Sequence, residues 1–282
     1  MTSAQSLPAQ LPVAVAFDHV NLAFGDTPAL VDLSFSMRAG ETRVVLGAAG
    51  SGKIMLLKTA VGLIKPDSGH ISLFGEEVTG RKENQLYELR SKVGIPFQEG
   101  GLFDSQTIAE NVAYPLLNQF ALHKNGQALP PEEVDQRVRE SLSFVELEHT
   151  LDKFPSELSG GMRRRAGIAR AIVTAPQLVL YDSPTAGLDP ITANLIINLI
   201  IKGRDISNTA TVMVTHRYQD GHLMANFRYN PSSGKIERAE SSQSTTRFFV
   251  MQEGRLFFEG SEAELRASTD SYVQKFARPG SS

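Results

Sequence analysis

The stretch from Thr42 to Ile54 sets the terms for the rest of the chain. An apolar run, Val44-Val45-Leu46, passes directly into Gly47-Ala48-Ala49-Gly50-Ser51-Gly52-Lys53, the G-x-x-x-x-G-K pattern of a loop that wraps a phosphate. Triphosphate oxygens need several backbone N–H donors at once, and side chains would block their approach. Glycines let the backbone curl with no Cβ in the way. The helix that follows offers its positive end, and Lys53 adds a full charge. The pattern ordinarily closes on Ser or Thr, whose hydroxyl binds Mg²⁺; here that position is Ile54. The sequence thus predicts a cradle from Gly47 through Lys53 to Ile54 that lacks one metal ligand.

A loop of this kind needs a folded core around it. The chain has 282 residues, 41% of them hydrophobic, enough for one large domain or two modest ones. A net charge of −3 creates no global positive field, so nucleic acid is not an expected partner. Cysteine is absent, which excludes disulfides and thiolate metal sites. No run approaches the roughly 18 uninterrupted apolar residues of a membrane span; the best, Leu195–Ile201, is seven residues long. The opening MTSAQSLPAQ has neither the basic start nor the apolar stretch of a signal peptide. Residues 1–12 are expected to be a disordered leader, 277–282 a short tail, and the protein cytoplasmic.

Residues 13–46 read as short strands separated by turns at Gly25-Asp26 and Ala39-Gly40. A helix follows from Ser51 to Val61, a strand pair around 70–78, and a polar helix over 83–92. VGIPFQ (93–98) reads as a strand that Pro96 confines to an edge or an end. From about 106 to 174 the periodicity is helical, with Pro130-Pro131 starting one helix and Ser159 capping another. QLVLYDSP, an amphipathic helix over 191–207 and TATVMVTH then give strand, helix, strand, hence a parallel βαβ unit. Residues 223–246 are polar and serine-rich, and predict an extended or mobile insertion. A hairpin turning at Glu253-Gly254 and one final helix capped by Ser261 close the chain.

The loop at 47–53 does not stand alone. Leu178-Val179-Leu180-Tyr181-Asp182 is an apolar strand ending in a carboxylate, which a parallel sheet would place beside the phosphate loop. Leu158-Ser159-Gly160-Gly161 precedes it, Gly187-Leu188-Asp189 follows, and His216 ends the next strand. At these residues the chain resembles the ATP-binding subunits of ABC transporters over nearly all of 13–276. The resemblance implies an α/β fold: a P-loop NTPase core with a mixed sheet, an N-terminal antiparallel β subdomain and an inserted helical subdomain at about 98–165. It implies that Phe24, otherwise readable as a core or hairpin aromatic, stacks on adenine. Gln98 then matches the glutamine that touches Mg²⁺ or the attacking water. Ser159, Gly160 and Gly161 match the signature that closes over a partner's ATP. Asp182 matches the metal-binding aspartate, Asp189 the aspartate of the following loop, and His216 the histidine that contacts the γ-phosphate. The cofactors implied are ATP and Mg²⁺. The partners implied are a second ATP-binding subunit, in a homodimer, and transmembrane permease subunits on the cytoplasmic face of the inner membrane. FQEGGLFDSQTIAENVAYPL and LSGGMRRRAGIARAI are similar to the Mla-type ATPases, which implies lipid transport and an MCE-domain partner. Arg163-Arg164-Arg165 reads as a solvated or contact face of the signature helix rather than a phosphate patch.

Two positions depart from that family's chemistry. Ile54 replaces the hydroxyl on the metal, and Ser183 replaces the glutamate that polarises the attacking water. A serine hydroxyl cannot act as that base near neutral pH. Glu99, beside Gln98, is a conceivable substitute, although a surface carboxylate is the plainer reading. Three readings stay open at this point: a transporter ATPase, a degenerate subunit that binds ATP while a partner does the chemistry, and a soluble ABC protein of translation or DNA repair. The last usually carries two nucleotide domains or coiled-coil inserts, and neither pattern occurs here.

Overall fold

A computed structural model describes residues 11–97, 100–118, 128–239 and 245–277. Two long strands, β1 (Val13–Phe24) and β2 (Thr27–Arg38), pair antiparallel across the turn at Gly25-Asp26. β3 (Thr42–Gly47) is buried at every residue and leads through the glycine loop into helix α1 (Lys53–Ala60). β4 (Ser68–Leu73) returns to pair with β1 and carries the short β5 (Glu76–Glu77). After α2 (Glu83–Ser91) and β6 (Val93–Gly94) come the helices α3 (Ile108–Asn118), α4 (Pro131–Phe144) and α5 (Gly160–Ile172). β7 (Leu178–Asp182), α6 (Pro190–Ser207) and β8 (Ala210–Val214) form the parallel strand–helix–strand unit. Then follow α7 (Tyr218–Asn226), the hairpin β9 (Phe227–Asn230) and β10 (Lys235–Arg238), and the hairpin β11 (Thr246–Gln252) and β12 (Arg255–Gly260). The short helices α8 (Glu262–Ala267) and α9 (Ser271–Gln274) end the described chain. No helix among the described residues is long and apolar enough to cross a membrane.

The strands form an antiparallel sheet in the order β2-β1-β4-β5 and a mixed sheet in the order β12-β11-β3-β8-β7-β6. In the mixed sheet β11, β3, β8, β7 and β6 run parallel, and only β12 is antiparallel. Successive side chains on a strand point to opposite faces, and the core follows that rule. Val44, Leu46, Val179, Tyr181, Met213, Phe248 and Val250 pack with the helices α3 to α7. Val45, Leu178, Leu180, Val212, Val214, Phe249 and Met251 pack with the antiparallel sheet, α1 and α2. Burial on both faces explains why these strands read as continuous apolar runs. It also leaves their ends as the place where polar groups meet solvent. β3, β8 and β7 are neighbours, so Gly47, His216 and Asp182 come together at one edge of the sheet.

The helical region is tied to the core by a close backbone approach. A Cβ on Gly167 of α5 would lie 2.7 Å from Gly100 Cα, and one on Gly100, at φ +84°, would lie 2.5 Å from the Arg163 carbonyl oxygen. Both contacts are closer than any real Cβ tolerates, so the segment around Gly100 lies flat on α5. The buried Asn111 of α3 fixes the neighbouring loop, donating to the carbonyls of Phe103, Gln106 and Thr107 and accepting from the Phe103 N–H.

Several expectations need correction. VGIPFQ is an edge strand at Val93-Gly94, and the described residues 95–97 that follow make no ladder. Of the polar stretch at 223–246, residues 240–244 lie outside the described residues, and the part before them is regular structure rather than an extended insertion. Residues 223–226 finish α7, and 227–238 form the β9–β10 hairpin. Asp205 of α6 anchors that hairpin by accepting from the Tyr229 N–H at 2.8 Å, and Arg204 donates to the Phe227 carbonyl at 3.1 Å. The closing helix is two helices, since Ser268–Asp270 leave helical geometry and Asp270 caps the second. The expected leader and tail fall mostly on 1–10 and 278–282, outside the described residues. Leu11 and Pro12 bond to Arg38 and Ala39 at the end of β2.

Candidate functional site

A cavity of about 470 Å³ opens at the edge where β3, β7 and β8 end. Its lining includes Phe24, Ala29, Ala49 to Met55, Asp182, Ser183 and His216. The glycine loop is held open by its own geometry. Gly52 sits at φ +100°, and a Cβ there would come within 2.5 Å of the Ala29 carbonyl oxygen, so no side chain can occupy that turn. The Lys53 ammonium is folded back into the loop, donating to Gly47 O (2.9 Å), Ala48 O (2.7 Å) and Ser51 Oγ (3.3 Å). Burial pushes its pKa down and Asp182 pulls it back up.

Phe24, at the tip of the β1–β2 hairpin, is 55% exposed and borders the cavity, so it is no core residue. Ile54 is 46% exposed and points an apolar side chain into the same space. Ser183 is buried at φ +46°, its N–H bonded to Val214 O at 2.9 Å and its hydroxyl 3.2 Å from Asp182 Oδ1. Gln98 and Glu99 lie outside the described residues. Among the described residues that line the cavity, the Asp182 carboxylate is the charged oxygen donor open to a Mg²⁺ on a bound nucleotide, beside nucleotide oxygens and water. One carboxylate fits an ion that keeps most of its water, and Ile54 adds no oxygen to that set. Such an ion would supply charge neutralisation at the phosphates.

The surroundings of His216 favour its neutral form. Burial first, then the nearby Lys53 charge, push its imidazole below the ordinary histidine value, while Asp182 and a backbone bond to Gly47 oppose them. Because its folded pKa is depressed, its contribution to stability is present above the unfolded value and is lost as the pH falls through the folded one. An NMR titration is expected to place the His216 midpoint below 6.5. Lys53→Met should move that midpoint up and Asp182→Asn should move it down. A midpoint unmoved by either substitution would contradict this electrostatic arrangement.

Ser159, Gly160, Gly161 and Asp189 are not in this cavity. Ser159 caps α5, accepting from the Met162 N–H at 3.3 Å. Gly160 borders a second hollow with Asp104, Arg163, Gly187 and Leu188. Asp189 caps α6 through the N–H groups of Ile191 and Thr192, both at 3.0 Å, and the Thr192 hydroxyl first, then these backbone bonds, hold its carboxyl below the usual range. The chain thus presents two separate surfaces, a phosphate cavity and a glycine-capped helix start. Arg163, Arg164 and Arg165 donate to the carbonyls of Leu158, Pro184 and Val145, which makes them helix-anchoring contacts.

Two features had no usable signal in the sequence. The Tyr272 hydroxyl accepts from the Ala48 N–H at 3.3 Å and donates to Met251 O at 3.0 Å, so α9 braces the glycine loop from 224 residues away. Asp220, within a polar run after His216, is buried, and its carboxyl is pushed up by that burial against the opposing bonds from Thr185 and Thr215.

The comparisons with known proteins agree with this geometry. A family model described as "ABC transporter" matches residues 30–186, more than half of the chain. The chain belongs to the ABC transporter family. It is 36% identical over 209 residues to the probable ribonucleotide transport ATP-binding protein mkl of Mycobacterium leprae, a match covering 73% of this chain and 58% of the relative. It is 38% identical to methionine import ATP-binding protein MetN 2 of Bacillus cereus, over 67% of this chain and 53% of that protein. The chain thus spans little more than half the length of these curated relatives. Among solved structures, a dimeric ATP-binding cassette in a post-hydrolysis state with ADP and phosphate superposes with a TM-score of 0.71 at 27% identity, over 88% of this chain and 98% of the other. The cbiO1 protein of Clostridium perfringens, part of the ABC transporter complex cbiONQ, gives 0.73 at 26% identity, over 95% and 96%. These neighbours identify the mixed sheet with its antiparallel companion as the P-loop fold of ABC ATPases.

Proposed function

We propose that this chain is the ATP-binding subunit of an ABC transporter and couples ATP binding and hydrolysis to the movement of lipid across or between membranes. The observation that carries the ATP reading is the cavity in which the glycine loop, Lys53, Asp182, His216 and an exposed aromatic, Phe24, converge. Backbone N–H groups and Lys53 hold the phosphates, Phe24 stacks on the base, and neutral His216 bonds a γ-phosphate oxygen. Asp182 holds the metal ion, together with the Gln98 amide. A second copy places its Ser159-Gly160-Gly161 helix start over the nucleotide, which accounts for two surfaces that never meet within one chain. Asp189 lies at the same interface. The subunit sits on the cytoplasmic face of the inner membrane, bound to permease subunits and an MCE-domain protein.

Support for lipid as cargo is the wording of residues 97–116 and 158–172, while the relatives' names speak of ribonucleotide and methionine. The purified membrane complex decides between them. Its ATP turnover is expected to respond several-fold to phospholipid in nanodiscs or vesicles, and to stay flat with methionine or ribonucleotides. The reverse pattern would overturn the lipid assignment.

A further inference from the structure

Asp220 is 1% exposed, on the first turn of α7 and four residues beyond His216. A carboxylate so far from water persists only where it is paired and hydrogen-bonded. Its Oδ2 accepts from two hydroxyls that belong to different loops: Thr185, in the segment after β7, and Thr215, directly before His216, at 2.7 Å. Its other oxygen faces Arg217 Nε at 3.7 Å. Thr215 Oγ1 in turn accepts from the Arg217 N–H at 3.1 Å. The segment that Thr185 belongs to is tightly wound, with Ala186 N–H on Ser183 O at 3.1 Å and Leu188 N–H on Thr185 O at 3.2 Å, and it ends at the α6 cap, Asp189. One carboxylate oxygen therefore joins the piece of chain carrying Ser183 and Asp189 to the piece carrying His216.

We infer that Asp220 is a positioning residue, a clip through Thr185 and Thr215 that makes residues 183–189 and 214–217 move as one body. What His216 meets in the cavity is thereby carried to the Gly187–Asp189 surface beside Gly160. The relay rests on the ATP-site reading above; the clip itself does not.

The test is hydrogen exchange on the full chain, with and without a non-hydrolysable ATP analogue. Thr185→Val and Thr215→Val each remove one hydroxyl at nearly constant volume. Thr185→Val is expected to raise amide exchange across 214–217 about fivefold or more, and Thr215→Val to do the same across 183–189, since local opening reports the lost tether. Asp220→Asn should loosen both segments, and Asp220→Glu should restore part of the protection. If each valine variant loosens only its own segment, the clip is wrong. Turnover provides a second readout. Asp220→Asn is expected to lower kcat about tenfold with little change in KM, as a misplaced group would, and to cost nothing further in a His216→Ala background. Additive losses would overturn the proposal. A wild-type complex without ATP turnover would count against the ATPase reading alone, and the exchange comparison would still decide the clip.

Discussion

Restoring both missing groups, Ile54→Thr with Ser183→Glu, is expected to raise ATP turnover by about 10²–10⁴-fold, the usual contribution of a positioned general base. The cavity already holds what the reaction needs by way of binding, with Lys53, Asp182 and His216 converging. Phosphoryl transfer depends mostly on positioning and charge neutralisation, so the wild type should retain slow turnover rather than none. Residue 183 sits at φ +46° in the native backbone; serine already bears that strain, and glutamate adds no new backbone conflict. Its carboxylate would lie beside Asp182, and two neighbouring carboxylates push one pKa up, toward the value a base needs. The introduced threonine hydroxyl would add an oxygen where Ile54 now presents hydrocarbon, so half-maximal turnover should need less Mg²⁺. Turnover unchanged by the double substitution would show that these two groups do not limit the protein.

Lys53→Met should abolish tight ATP binding and lower turnover by about 10²–10³-fold, the range for losing a preorganised charge at a developing anion. The same substitution is expected to leave the nucleotide-free protein no less stable. Lys53 is buried with Asp182 as its compensating charge, and burial dominates in pushing its pKa down. The sign follows from linkage. With the folded pKa below the unfolded one, the unfolded chain binds the proton more tightly, so the fold carries a penalty while Lys53 is charged. That penalty eases as the pH rises from the folded pKa to the unfolded one. The variant should therefore melt at or above the wild-type temperature near neutral pH, with the difference narrowing at alkaline pH. A large loss of apo stability in Lys53→Met would mean that the ammonium's bonds to Gly47 and Ala48 outweigh its desolvation.

Much of this was legible in the sequence, for physical reasons. Strands buried on both faces must be apolar throughout, so Val44–Leu46, Leu178–Tyr181 and Val212–Val214 announced themselves. Their parallel order then fixed where Gly47, Asp182 and His216 meet. Ser159 and Ser261 were readable as helix caps because capping is a local hydrogen bond. What could not be read depended on distant partners. The β9–β10 hairpin is polar on its own terms and is organised by Arg204 and Asp205 of α6. Tyr272 meets the glycine loop from 224 residues away in the chain. Asp220 carried no signal because its two threonines come from loops thirty-five and five residues away. The break at Ser268–Asp270 was hidden by a helical pattern running through it, yet Asp270 starts a new helix by accepting from Tyr272 and Val273.

The most direct test of the central claim, that the Lys53 cavity binds and slowly hydrolyses ATP, is Mg²⁺-ATP turnover by the assembled membrane complex, measured beside the same complex carrying Lys53→Met. The account predicts slow turnover that needs Mg²⁺ and falls by about 10²–10³-fold in the variant. Turnover that is undetectable in the wild type while ATP still binds, or turnover undiminished by the loss of Lys53, would contradict it.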